Sequence, residues 1–197
     1  MATVTDTIRA TPARSFVRVE TLPGSPTAVR KALSRAVKAG ELVRMRPGVY
    51  YKGVPTRYGM TTPPETDVAN LVLGERGVGP AGYSAARAWG VTTQVPAVVE
   101  LATIGSRRKL KHTRLLTRSN LARVDLNAKE IALLELLREP HIYVEAGWDA
   151  LVEQVREAVA DGSIRPVLLR TAVPGESSRA VRDWFAELSE RVESLRA

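Results

Sequence analysis

Residues 25–52 read SPTAVRKALSRAVKAGELVRMRPGVYYK, and the fold of the first third of the chain turns on them. Ser25-Pro26 is a helix start: serine offers an oxygen to an unpaired backbone N–H, and proline suits the first helical position. Gly40 is the stop, because glycine takes the left-handed conformation that closes a helix. On a helix with roughly 100° between successive residues, Ala28, Val29, Ala32, Leu33, Ala36, Val37 and Ala39 fall on one side. Thr27, Arg30, Lys31, Ser34, Arg35 and Lys38 fall on the other. The apolar side suits a core. The opposite side carries four cations, two hydroxyls and no acid, whereas a solvated helix face ordinarily mixes Glu with Lys. Long cationic and hydroxyl side chains on one helix face can reach phosphates and base edges in a DNA major groove. Ser25, Thr27, Arg30, Lys31, Ser34, Arg35 and Lys38 are therefore the expected contacts of a recognition helix.

The flanks extend this reading. Leu42-Val43-Arg44-Met45-Arg46 alternates as a strand does, Pro47-Gly48 is a turn dipeptide, and Val49-Tyr50-Tyr51-Lys52 is a second strand. The resulting hairpin offers Arg44, Arg46 and Lys52 to phosphates, contacts that set position rather than sequence. Upstream, Thr3 to Ala10 reads as a short helix and Ser15 to Glu20 as a short strand. Leu22-Pro23-Gly24 turns directly into the basic helix. Helix, strand, helix, helix and hairpin in this order is a winged helix-turn-helix. One such module covers one half-site, so two copies are expected on an inverted repeat in duplex DNA, paired as a homodimer there.

Charge follows the same division. The 197 residues hold 29 Lys and Arg against 21 Asp and Glu, a net of +8. Residues 1–60 hold 11 of the cations and 3 of the acids, which is already +8; residues 61–197 hold 18 of each. Concentrated cations favour a polyanion, because each neutralised phosphate releases condensed counterions. Glycines and prolines between Lys52 and Pro64 break periodicity and mark a boundary. The expected fold class is α+β: a winged helix-turn-helix over 1–60, then a mixed α/β domain rich in helices over 61–197. Arg57 and Tyr58, in the boundary segment, either extend the basic surface or are idle linker.

The stretch from Ser25 to Gly53, followed by GPAGYSAARAWGVTTQVPAVVELAT at 79–103, resembles the AbiEi-type antitoxins. In that family an N-terminal winged helix ends in a G-x-L-x-R-x-x-x-G-x-Y hairpin, here Gly40, Leu42, Arg44, Gly48 and Tyr50. A second domain opens with S-A-x-x-x-x-G, here Ser84, Ala85 and Gly90, with Gln94 and Pro96 just after. The resemblance covers roughly residues 1–140 with motifs. It implies an antitoxin that binds its own promoter and represses it, and a cognate nucleotidyltransferase toxin as partner. The alternative is a ligand-responsive winged-helix regulator without a toxin partner.

In the second domain, Glu65 to Val72 and Tyr83 to Trp89 read as helices, Ala97 to Ile104 as a buried strand and Leu110 to Leu116 as another. Asn127-Ala128-Lys129-Glu130 is a capping box before a helix apolar almost all round, which belongs in a core. Stripes at Trp148–Val159 and Val181–Leu195 follow helical spacing. Residues 61–126 carry 9 cations and 5 acids, while 127–197 carry 9 cations and 13 acids. Arg107, Arg108, Lys109, Lys111 and Arg114 cluster between the two strands, either as a solvated hairpin tip or as a flanking DNA contact. Glu153, Glu157, Glu187 and Glu190 form either a solvated face or the surface that contacts the toxin, since an enzyme that binds polyanions presents a basic surface.

The remaining composition narrows the classes. There is no cysteine, hence no disulfide, thiol nucleophile or zinc finger. His112 and His141 have no metal-spaced companion, and no P-loop is present. Gly105-Ser106 looks like the start of a nucleotidyltransferase motif, but no pair of acids follows to hold metals. Aromatic residues are 5%, few for a base-stacking single-strand binder. No apolar run is long enough to span a membrane. The expectation is a cytoplasmic, non-enzymatic, DNA-binding protein that needs no cofactor.

Overall fold

In the computed structural model, which describes residues 2–74, 76–105, 110 and 112–194, the first helix, α1 (Val4–Ala10), begins in a reciprocal cap. Thr3 Oγ1 accepts from the Asp6 N–H, and the Asp6 carboxylate accepts from the Thr3 N–H. Strand β1 (Ser15–Arg18) follows, then a single 3-10 turn at Val19–Thr21. Helix α2 (Pro26–Lys38) is capped by Ser25, whose Oγ accepts from the Ala28 N–H at 3.3 Å. Its end is a Schellman motif: Gly40 N–H donates to Val37 O at 3.1 Å, Glu41 N–H to Ala36 O at 2.9 Å, and Gly40 sits at φ 71°. Strands β2 (Val43–Arg46) and β3 (Val49–Lys52) form the hairpin around Pro47-Gly48.

These strands make one antiparallel sheet in the order β1-β3-β2. Val17 lies opposite Tyr50, and Phe16 opposite Tyr51 with ring centres 5.2 Å apart. Val4, Ile8, Val17, Val29, Ala32, Leu33, Ala36 and Leu42 form the core beneath, with Leu22, Val37 and Tyr50 against it. Ala28 and Ala39, on the apolar side by periodicity, are exposed because the core covers only the middle of α2. The expected order had two consecutive helices before the hairpin; the structure has the 3-10 turn and then α2. Only six residues separate Arg18 from Ser25, and Pro23-Gly24 occupies two of them. A further α-helix has no room.

Where a linker was expected, the chain instead forms a tight hairpin of β4 (Pro55–Thr56) and β5 (Gly59–Met60), with Arg57-Tyr58 at its tip. Thr56 Oγ1 donates to Gly59 O at 2.7 Å, and Val54 N–H donates to Thr61 Oγ1 at 2.8 Å. The chain divides into two compact units, Met1–Val68 and Ala69–Ala197, and α3 (Glu65–Leu73) runs through the division. The division lies eight residues beyond the boundary read from glycine and proline, because residues 53–61 fold back on themselves.

The second unit contains β6 (Val78–Pro80), α4 (Gly82–Ala88), β7 (Val99–Ile104) and β8 (Thr113–Arg118), with sheet order β6-β7-β8. β6 and β7 are antiparallel, but β7 and β8 are parallel, with Val99 opposite Thr113 and Ile104 opposite Arg118. The two strands therefore do not form a hairpin with each other, and β8 starts three residues later than its hydrophobicity suggests. Arg107, Arg108, Lys109 and Lys111 lie outside the described residues. Arg114, on β8, pairs with Glu100 on β7 at 3.0 Å.

Helix α5 (Ala128–Leu136) is the centre of this unit. Asn127 and Glu130 form its reciprocal cap, and Ile131 to Leu134, Leu136 and Leu137 are wholly buried. It packs so closely on β6 that a side chain at Gly79 would meet Ile131 Cβ at 2.7 Å. Helices α6 (Pro140–Tyr143), α7 (Trp148–Ala160), α8 (Pro166–Ala172) and α9 (Arg179–Ser194) complete the unit. Leu151, Val152, Val155 and Ala158 of α7, with Val181, Leu188 and Val192 of α9, enter the same core.

Two carboxylates on α5 are also buried. Glu130 accepts from the Arg165 guanidinium at 2.6 and 2.9 Å and from its N–H at 2.6 Å. Glu135, 1% exposed, accepts from Arg118 at 2.5 and 2.9 Å and from Arg123 at 2.6 Å. Arg123, also 1% exposed, turns its other nitrogens to Glu176 at 2.6 and 2.9 Å. Burial by itself would push the Glu135 carboxyl up. The Arg118 hydrogen bonds and the charges of Arg123 and Arg118 outweigh it and hold the group below the usual carboxylate range. A lowered native value means stability that is complete above the unfolded value of about 4.3 and is lost as pH falls through the native one. The expected outcome is an acid limb in the urea midpoint between about pH 5 and pH 3. Glu135→Gln should flatten that limb and lower stability at pH 7 by about 3–5 kcal/mol. An unchanged pH profile in the variant would remove Glu135 from acid unfolding.

Candidate nucleic-acid interface

The first unit sorts its side chains cleanly. Thr27, Arg30, Lys31, Ser34, Arg35 and Lys38 of α2 are all exposed, as is the capping residue Ser25. The Schellman end and the buried row Val29, Ala32, Leu33 and Ala36 fix the rotation of α2, so the cationic row has only one direction to face. Among the described residues none of Arg30, Lys31, Arg35, Lys38, Arg44 and Arg46 is in a salt bridge; the unit's pair is Arg18–Glu20 at 3.5 Å. Exposed guanidinium and ammonium groups without a carboxylate partner are free to take phosphate oxygens.

Thr3, which caps α1, and Thr5 in its first turn line an open groove of about 420 Å³ along α2 with Ser25, Thr27, Lys31 and Arg35. Sequence reasoning missed the two threonines. Their signal was their place at the start of α1, but only the packing of α1 on α2 brings them beside the cations. Arg44 and Arg46 on β2 are exposed, with a bulge at Met45 that sets Arg44 opposite Tyr50 and Arg46 opposite Val49. Bulges re-aim side chains at sheet margins. Arg57 stacks over the Tyr58 ring at 4.6 Å, and Tyr58 is 84% exposed at the tip of the β4–β5 turn.

Lys52 departs from its expected role. Its Nζ donates to Ile8 O at 3.0 Å and to Arg9 O at 2.7 Å. The last carbonyls of a helix lack intrahelical partners and carry negative partial charge, so an ammonium is stabilised there. Lys52 therefore closes α1, and the cations of the β2–β3 hairpin without a salt bridge among the described residues are Arg44 and Arg46.

The acidic candidates lie on two helices of the second unit. Glu187 and Glu190 of α9 are exposed and unpaired among the described residues. Glu153 of α7 is ion-paired with Arg156, which holds its carboxyl below the usual range. Glu157 accepts from Gln154 at 3.5 Å. Among the described residues no group of three His, Asp or Glu is placed to hold a metal ion, and no helix is long and apolar enough to cross a membrane.

The motif residues quoted above have local structural roles. Gly40 ends α2, Leu42 is buried, Tyr50 packs on the first core, and Gly90 ends α4 at φ 68°. Ser84 Oγ accepts from the Glu100 N–H at 3.0 Å, joining α4 to β7. The chain belongs to DUF6088, described as a family of unknown function, whose match covers residues 4–131. No curated protein matches it. It is similar in fold to the crystal structure of RV2827C protein from Mycobacterium tuberculosis, with a TM-score of 0.54 and 15% identity over 98% of this chain and 78% of that one. At that identity the likeness is one of fold alone.

Two substitutions separate the roles of the hairpin cations. Lys52→Met should lower stability by about 1.5–3 kcal/mol, the range for hydrogen bonds to charged groups, and leave the salt slope of duplex binding unchanged. Arg46→Ala should keep stability and flatten that slope by about one unit. Thermal melts and gel shifts across a salt series read both; a flattened slope in Lys52→Met would return Lys52 to the phosphate backbone.

Proposed function

We propose that the chain is a DNA-binding antitoxin and autorepressor that counteracts a partner nucleotidyltransferase toxin, with residues 1–60 acting as a shortened winged helix-turn-helix. One observation carries the DNA reading: six cations on α2 and β2 are exposed together without an acidic partner among the described residues, in the segment that supplies the whole net charge. In this reading α2 enters the major groove. Arg30, Lys31, Ser34, Arg35 and Lys38 reach base edges and phosphates, Ser25 and Thr27 approach the backbone at the helix start, and Arg44 and Arg46 clamp the flanking strand. Two copies bind an inverted repeat in the chain's own promoter.

The antitoxin half of the proposal rests on the ordered motifs at 40–50 and 84–90, which resemble the AbiEi-type proteins, and on the acidic excess of 127–197. Glu187 and Glu190, exposed on α9, are the residues best placed to meet a basic toxin surface. Glu153 is weaker in this role because Arg156 already neutralises it. A ligand-responsive regulator is the second reading, favoured by a polar cavity in the second unit lined by Arg118, Ser119, Asn120, Arg138, Glu176 and Ser177.

Arg30→Ala with Arg35→Ala should weaken binding to the chain's own promoter by about 2–5 kcal/mol in a gel shift. Unchanged affinity would overturn the assignment of α2. If the adjacent reading frame encodes a nucleotidyltransferase, co-expression with the full chain should restore growth. Because single exposed pairs contribute up to about 1 kcal/mol, several reversals including Glu187→Lys and Glu190→Lys should be needed to reduce the rescue. A neighbour of another class, or rescue lost with Arg30 and Arg35 but kept in the acidic variants, would overturn neutralisation by contact.

A further inference from the structure

The second unit contains a group of charges that do not balance. Arg118, Arg123 and Arg138 converge on Glu135 and Glu176, three guanidinium groups on two carboxylates. The hydrogen bonds are distributed unevenly. Glu135 gives one oxygen to both Arg118 and Arg123 and the other to Arg118. Glu176 gives one oxygen to Arg123 and to the Asn120 amide, and the other to Arg123. Arg138 is left with Glu176 Oε2 at 3.5 Å, well beyond the 2.7–2.9 Å of a charge-assisted hydrogen bond. That same nitrogen, Arg138 Nη1, is enclosed by protein and has no hydrogen-bond partner.

An enclosed donor nitrogen without an acceptor is rare, even on a guanidinium whose side chain is 25% exposed. Burial and the neighbouring Arg118 charge both disfavour the Arg138 cation and pull its pKa below the ordinary value. The site lacks one negative charge. It also has room for one. A cavity of about 210 Å³ opens here, with Arg118 and Arg138 on its wall and the Ser119 and Ser177 hydroxyls beside them. Neither hydroxyl makes a hydrogen bond among the described residues. Glu176 also borders the cavity, but the fork of Arg123 behind it neutralises that carboxylate.

We infer that this cavity is an oxyanion site that takes a phosphate-type group. The occupant's oxygens accept from the exposed part of the Arg138 guanidinium, whose side chain is 25% exposed, from Arg118, and from Ser119 and Ser177 as hydroxyl donors, and its charge offsets the excess cation. Arg138 is the residue that selects the anion, because Arg118 and Arg123 already have carboxylate partners. The group can come from a free phosphorylated molecule or from a nucleic-acid backbone; the shared chemistry is a phosphoryl oxygen. The inference does not rest on the DNA reading of α2, since none of its residues is on that face.

The test uses the full chain. Inorganic phosphate is titrated against chloride at fixed ionic strength, and the melting temperature and calorimetric heat are followed. A saturable rise in melting temperature is expected. Arg138→Met should weaken phosphate binding about tenfold or more, whereas Arg30→Ala with Arg35→Ala should leave it unchanged. Should Arg138→Met fail to fold, Ser119→Ala with Ser177→Ala provides the second reading and should weaken binding several-fold, in line with lost hydroxyl hydrogen bonds. A short duplex added to the Arg30→Ala, Arg35→Ala protein separates the sources. Displacement of phosphate from the Arg138 site assigns a backbone phosphodiester; retention assigns a free phosphoryl group. No saturable effect, or one equal in Arg138→Met, would mean that water alone meets Arg138 and would overturn the site. Loss of the effect in the Arg30 and Arg35 variant would place the anion on α2, which also overturns it without touching the DNA reading.

Discussion

Arg123 holds the second unit together from within. A guanidinium with 1% exposure would be untenable in an apolar core alone, since an isolated buried charge is strongly disfavoured. Its five donors in a rigid fork make the geometry usable: one nitrogen meets Glu135 on α5, and two meet Glu176 in the segment before α9. Asn120 adds a bond to Glu176 and another to Ala172 O at the end of α8. The 3-10 turn at Leu121–Asp125, α5, α8 and the entry to α9 are thereby fixed to one another. Arg118 carries the same constraint to the end of β8. The polar cavity is lined by Arg118, Asn120 and Glu176 of this arrangement.

In the first unit the governing constraint is rotational. A helix with a buried row and a closed end has one orientation, and everything on its far side is presented to solvent as a block. Here the block is Thr27, Arg30, Lys31, Ser34, Arg35 and Lys38. Lys52 shows how easily a cation is taken out of such a surface: two free carbonyls at the end of α1 lie within reach and claim it. The motif glycines and the small residues around them support this geometry. Gly40 and Gly90 end helices, and Ala85 is buried without any exposed surface. Most of the motif residues at 40–50 and 84–90 build the fold, while most of the exposed cations, on α2, lie before them.

Helices α2, α5, α7 and α9 and the first hairpin were legible from the sequence because their signals are local. Ser25 and Gly40 bound α2, Asn127 and Glu130 cap α5, and helical spacing of apolar residues marks α7 and α9. The cationic face of α2 was legible for the same reason, since it needs only the helical period. The direction of β8 was not legible. Two neighbouring strands read alike whether parallel or antiparallel, and the register is set by partners far along the chain, such as Glu135 for Arg118.

What the sequence determined by itself was therefore the set of periodic elements, the segregation of charge into the first 60 residues and the absence of cysteine chemistry. What only the tertiary structure decided was which charged residues are surface and which are core. Nothing in the local sequence marks the charges of Glu130, Glu135, Glu176 and Arg123 for a core, and all are buried. Their fate depends on Arg165, Arg118 and one another, at separations of 12 to 53 residues. A charge can enter a core only when its partner arrives with it, and that pairing is a property of the folded chain.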